Sequence, residues 1–253
     1  MRWLPVLLLL LLAAPAQAQE REEEVIAALS QSNVAINATF IGSEILVFGA
    51  VRREAPAPDG ILGVIVTIEG PSGPLTVHRK ERMLGIWVNN DAVFVDRAPS
   101  FYAVASSAPL PDVLTNTEDL RHGISIPRAI RAIGAQVSDA PLFTEALIRI
   151  RSERGLYQHL ENAVVLDRDT LFRARISLPS NLTEGTYLTR IFLTRDGRVI
   201  DSHETAIHVQ KVGLERWIFV LAHEQPFLYG LLSLIVAVAA GWGASALFRY
   251  ARG

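Results

Sequence analysis

LFRARISLPSNLTEGTYLTRIFLTRDGRVIDSHETAIHV, residues 171–209, is the stretch whose reading decides the fold. Phe172, Ala174, Ile176 and Leu178 alternate with Arg173, Arg175 and Ser177, the period of two of a strand with one buried face. Leu188, Ile191 and Leu193 belong to a second strand. A turn at Asp196-Gly197 leads into a third, Val199 to Val209, and Asp-Gly between two strands is a strong hairpin signal. Pro179, Leu182, Gly185 and Tyr187 lie between the first two strands, with Tyr187 opening the second.

Upstream, Val34, Ile36, Ala38 and Phe40 share one face, and Ile45, Val47, Gly49 and Val51 follow a Gly42-Ser43 turn. Glu54 to Gly60 is a loop stiffened by Pro56 and Pro58. Leu62 to Glu69 is a continuous β-branched run, and Gly70-Pro71-Ser72-Gly73-Pro74 turns it into Leu75 to Arg79, predicting a hairpin. Leu84 to Val88, Ala92 to Asp96 and Ser100 to Ser106 read as further strands separated by Asn89-Asn90 and Pro99. Between Asp112 and about Glu161 the apolar spacing becomes helical. Ser125 before Pro127 starts a short helix through Ile130 and Ile133 that Gly134 ends. Asp139 or its neighbour caps a longer helix from Pro141 to about Tyr157, its stripe extended by Leu156 and Leu160 and Gly155 marking a break.

Strands therefore surround a helical block. The economical architecture is mainly β: one sandwich over residues 19–212, with a helical insertion at about 112–161. Leucine, two polar residues, glycine and an aromatic at the start of a strand resembles the corner of immunoglobulin-like sandwiches, where a tyrosine hydroxyl pins the crossing loop. Gly185 and Tyr187 are the candidate structural corner. The alternative is a seven-strand domain, a helical spacer and a small β domain, but three or four late strands would struggle to bury a core alone.

Two uncharged apolar runs close the chain. Arg2, the leucine block Leu7 to Leu12 and Ala16-Gln17-Ala18 form a secretory signal peptide, residues 1–18, cleaved after Ala18; an uncleaved anchor is the alternative. Residues 226–248 are long enough for a helix to cross roughly 30 Å of hydrocarbon. Residues 213–225 form a short amphipathic juxtamembrane helix, and 249–253 a tail whose Arg249 and Arg252 stop transfer. Export of the N-terminus orients the chain: bulk in the periplasm, one span in the bacterial inner membrane, C-terminus in the cytoplasm.

The formal charge of −2 gives no argument for nucleic acid. The absence of cysteine removes disulfides, thiolate metal sites and thiol redox chemistry, so an exported domain must rest on its hydrophobic core. Lysine occurs only at Lys80 and Lys211, and the arginine excess suits either anion recognition or the base composition of a GC-rich genome. Among the six histidines only His203 and His208 are close in sequence, and five residues apart on a strand places them on opposite faces. No zinc-protease helix, EF-hand, serine elbow or phosphate-cradling loop is legible. No cofactor is implied, and the expectation is a protein that is not an enzyme.

One patch is dense: Arg79-Lys80-Glu81-Arg82, then Gly85-Ile86-Trp87-Val88-Asn89-Asn90. Arg79, Arg82, Trp87 and Asn89 are the candidate interaction face, because Trp and Arg carry much interface energy where they become buried. A Trp87 that fills the sandwich core, with solvated charges around it, is the competing reading. Arg149, Arg151 and Arg154 are most simply a solvated helix face.

Gly-Ile-Trp-Val-Asn (85–89), Pro-Ser-Phe-Tyr-Ala-Val-Ala-Ser-Ser (99–107), Pro179-x-Asn-Leu-x-x-Gly-x-Tyr187 and Leu228-Tyr-Gly with Gly241-Trp242 occur in this order. In these motifs the chain resembles a family of transmembrane proteins of alphaproteobacteria that brings no catalytic residues with it. The resemblance implies an accessory role beside an integral membrane permease of the sulfite-exporter type. A membrane-anchored receptor for a small anion, with Arg79 and Arg82 as ligands, is the second expectation; an enzyme without a recognisable motif is the third.

Overall fold

The computed structural model describes residues 23–37, 39–83, 85–131 and 140–251. The expected leader, Ala38, Leu84, Ile133, Gly134 and Asp139 lie outside these residues. The chain is mainly β, with two sheets face to face, a two-stranded arm and a C-terminal apolar helix.

The first sheet has the order β1 (Glu23–Leu29), β3 (Ser43–Arg53), β10 (Leu171–Leu178), β9 (Val164–Asp167), all antiparallel. The second runs β2 (Asn33–Ile36), β12 (Arg198–Lys211), β11 (Gly185–Arg195), β4 (Leu62–Glu69), β7 (Tyr102–Ser106), β8 (Tyr157–Leu160), with β2 and β8 parallel to their neighbours. Late strands pair with early ones in both sheets, β10 with β3 and β11 with β4. Ile45, Val47, Phe172 and Ile176 of the first sheet meet Val64, Val66, Tyr187 and Ile191 of the second in one core. Within the first sheet, Gly49 of β3 is so closely flanked by its neighbouring strands that a Cβ would lie 2.3 Å from the Ile26 carbonyl oxygen of β1 and 2.6 Å from the Phe172 ring of β10.

Asp196 and Gly197, with φ of 50° and 75°, form the expected hairpin turn between β11 and β12. The expected hairpin at residues 70–74 does not form. β4 pairs with β11 and β7, while β5 (Ser72–Met83) pairs with β6 (Ile86–Pro99). Gly70-Pro71 bends the chain without reversing it; the reversal lies between Met83 and Ile86, with Gly85 at φ +88°. The segments expected as separate strands around Asn89-Asn90 are one strand, β6. Its register shifts at Arg79/Lys80, where Asp91 faces Arg79 and Asn89 faces Lys80, so Asn90 is the bulged residue.

The insertion holds α1 (Leu110–Val113), α2 (Asn116–His122), α3 (Ile126–Ala129) and α4 (Ala140–Glu153). α3 ends sooner than the spacing suggested, because Ile130 is extended and Arg131 bridges to Arg97. The helical reading also ran too far. Gly155, at φ +70°, follows α4, and Tyr157–Leu160 pairs with β7 as a strand. Ile124, Ile126, Ile130 and Leu147 cover Ile65, Tyr102, Val104 and Phe192, forming a second core on the outer face of the six-stranded sheet. Strands β4 and β7 are thus buried on both faces, which is why β4 reads as an unbroken apolar run.

At the N-terminal strand a buried charge triad ties distant segments together. Glu23 accepts from Arg53 Nε at 2.5 Å and from Arg195 at 2.8 and 2.9 Å. Arg195 also donates to the carbonyls of Pro58 and Gly60 at 2.8 and 3.0 Å, fixing the loop before β4. A buried charge stripped of its partner is costly. Glu23→Ala is therefore expected to destabilise the fold by about 3–5 kcal/mol; urea unfolding by circular dichroism measures it, and an unchanged midpoint would contradict the triad's role.

Candidate interaction face at the arm tip

The arm begins where β4 and β7 stop. Gly70 N donates to Phe101 O and Ser100 N to Pro71 O, both at 2.8 Å, so the ladder continues through the bend. The bend turns out the carbonyls of Pro99 and Ser100, and the insertion captures them: Arg151 Nη1 donates to both, at 3.0 and 2.9 Å, and Tyr157 Oη to Pro99 O at 2.9 Å. The Arg151 guanidinium also sits 5.5 Å from the Tyr157 ring centroid. Arg151 is consequently not part of a solvated face; it holds the root of the arm. Nothing in its sequence neighbourhood announces this, since its acceptors lie some fifty residues away.

Gly185 and Tyr187 stand at the same root. The Tyr187 hydroxyl donates to Thr183 O at 2.8 Å, pinning the loop before β11. A Cβ on Gly70 would lie 2.9 Å from the Tyr187 ring, and one on Gly185 would lie 2.5 Å from Pro71 Cγ. Gly185 also has φ +147°, a conformation that glycine adopts at least cost. Corner and bend therefore interlock.

Toward the tip the two faces of the ribbon diverge. On the inner face Leu75 and Val77 pack into the second core, and Arg79 follows them, its guanidinium 5.4 Å from the Phe143 ring centroid and paired with Asp91. On the outer face Arg82 stands opposite Trp87, and Lys80 opposite Asn89. The structure thus brings Arg82, Trp87 and Asn89 together and places Arg79 on the other side. Trp87 is 68% exposed, so the reading that buried it in the sandwich is overturned. Met83, Ile86 and Phe94 are also more than half exposed; Ile86 lies within the dense patch of the sequence, whereas nothing in the sequence marks Met83 or Phe94. Alternation alone cannot show that an apolar residue faces water.

The remaining candidates gather less. His203 and His208 lie on opposite faces of β12, and among the described residues no group of three histidines, cysteines or carboxylates is placed to hold a metal. A shallow groove of about 620 Å³ crosses the outer face of the four-stranded sheet, lined mainly by Ile26, Phe48, Val165 and Leu171. Beyond β12, α5 (Leu214–Glu224) exposes Trp217 and Phe219 and leads into α6 (Pro226–Ala251). Residues Pro226–Ser245 of α6 have a mean hydropathy of 1.9, are uncharged and are wholly unburied, as a membrane span requires.

A β-sandwich with a projecting arm and a single C-terminal apolar helix defines a membrane-anchored protein. The chain belongs to the family described as "Putative transmembrane protein (Alph_Pro_TM)", which matches residues 24–250. No curated protein matches it.

Two predictions follow from the root. Arg151→Ala leaves two carbonyls without a charged donor, a loss of about 2–3 kcal/mol locally. Limited proteolysis should then cut within residues 72–99 several-fold faster while the sandwich still melts cooperatively, whereas an unchanged rate would refute the clamp. The second concerns alkali. Burial pushes the Tyr157 hydroxyl up to about 12, opposed by the charge of Arg151, and burial raises Tyr102 further, opposed by Arg190. Folded and unfolded chains hold these protons equally below about pH 10, but above it only the unfolded chain releases them. Stability should fall from pH 10 to 12 by up to about 1.4 kcal/mol per pH unit for each tyrosine, and Tyr157→Phe should flatten the slope of the denaturation midpoint.

Proposed function

We propose that the chain is a membrane-anchored binding or accessory module, immunoglobulin-like in its sandwich, that works beside an integral membrane permease and is not an enzyme. The bulk of the chain lies on the periplasmic side of the bacterial inner membrane in this reading, after export by the leader. One observation carries it. β4 is antiparallel to β11, which is antiparallel to β12, so β4 and β12 run in the same direction. The arm therefore springs from the same end of the sandwich as the strand that leads to α5 and α6. An extended element that starts beside the membrane anchor suits a partner in that bilayer.

The strand order β1-β3-β10-β9 against β2-β12-β11-β4-β7-β8, with a tyrosine corner opening β11, supports the immunoglobulin-like label. Gly230, Gly241 and Gly243 have open space where a Cβ would stand, which suits close approach by another helix. The sulfite-exporter type of permease rests on the family resemblance. The anion-receptor reading has less support, because Arg79 is engaged by Asp91 on the inner face. Affinity capture of the full chain from mild detergent is the test: a co-purifying permease is the expected result, and a lone chain would overturn the reading.

A further inference from the structure

We propose that the tip of the arm is a second membrane contact, seated in the headgroup region of the bilayer that α6 crosses. The inference rests on α6 as the anchor and not on the identity of any protein partner. Three observations converge on it. The first is place: β4, whose strand direction the arm continues from, and β12 leave the sandwich at one end. The arm also has reach. Beyond the Arg79–Phe143 contact, the last four residue pairs, from Lys80↔Asn89 to Met83↔Ile86, extend it by about 13 Å.

The second is the order of side chains along the arm. Met83 and Ile86 form its final pair on one face and Trp87 lies next to them on the other, with exposures of 53%, 64% and 68%. Arg82 pairs across from Trp87, and Lys80 stands two residues further back. Apolar groups at the end, an indole level with Arg82 one step behind, and Lys80 three steps behind on the same face, with Glu81 between them on the other, match the gradient from acyl chains through the interface to lipid phosphates. Burial in a protein interface requires no such order of depth. The third is rigidity: Arg151 and Tyr157 clamp the root, so the tip is presented at little entropic cost.

The chain lacks cysteine, so one introduced cysteine reports from one place. Spin labels at Ile86→Cys and at Arg198→Cys, the latter at the opposite end of β12, are compared in the full chain in nanodiscs of phosphatidylcholine with phosphatidylglycerol. The label at 86 should be several-fold less accessible to a water-soluble nickel chelate, and more accessible to oxygen, than the label at 198. Lys80→Gln and Arg82→Gln should each lower the docked-to-free ratio about fivefold. Trp87→Ser should lower it too, with the melting transition unchanged because the side chain is exposed. Equal chelate accessibility at the two positions would overturn the proposal. Protection only in native membranes containing a partner would place the tip on protein, sinking the lipid contact and sparing the accessory role. Protection in nanodiscs with nothing captured from cells would uphold the lipid contact and remove the permease.

Discussion

A β-ladder can pass through a bend only if the backbone groups that the bend unpairs find other partners. At residues 70–71 and 99–101 this chain meets that condition with a guanidinium from α4 and a phenol from the start of β8, some fifty to sixty residues further along: Arg151 and Tyr157 take the carbonyls of Pro99 and Ser100. The arm, its faces and its tip depend on that exchange. A two-stranded ribbon alone is marginal in water, and the clamp at the root acts together with the burial of Leu75, Val77 and Val95 in the second core to hold β5 and β6 in place.

The helical insertion thereby acquires a structural reason. It covers the outer face of β4 and β7, lends the arm a floor through Leu147, and supplies the root clamp. The opposite end of the sandwich is held by different chemistry, the Glu23–Arg53–Arg195 triad, in which one carboxylate bridges two guanidiniums that also reach loop carbonyls. Both locks join segments distant in sequence. In a chain without disulfides they supplement what the hydrophobic core alone provides.

Much of the sandwich was legible. Residues 171–209 alternate cleanly because β10 has one wet face, and Asp196-Gly197 specifies its turn through positive φ. β1 was not legible, since Val25, Ile26, Ala27 and Ala28 are apolar on both faces and carry no period of two. β8 escaped for the opposite reason: Leu156 and Leu160 continued a helical spacing by chance, and a parallel pairing to β7 leaves no turn signal to correct it. The hairpin at residues 70–74 failed because glycine and proline permit a bend as readily as a reversal, and pairing partners elsewhere chose the bend. Of the candidate face, residue types were readable but sides were not. The bulge at Asn90 sets the pairs beyond Arg79↔Asp91, so that Lys80 meets Asn89 and Arg82 meets Trp87.

By itself the sequence determined the local matters: strands where side chains alternate, turns where glycine and proline relax or fix φ, and an uncharged stretch long enough to span a bilayer. These follow from periods and residue conformations that no distant partner alters. Tertiary structure alone decided that Trp87 faces water, that Arg151 is a clamp, and that arm and anchor strand leave by one end. Exposure, hydrogen-bond partnership and strand direction are properties of pairs of segments, and a linear pattern carries no information about which segments pair.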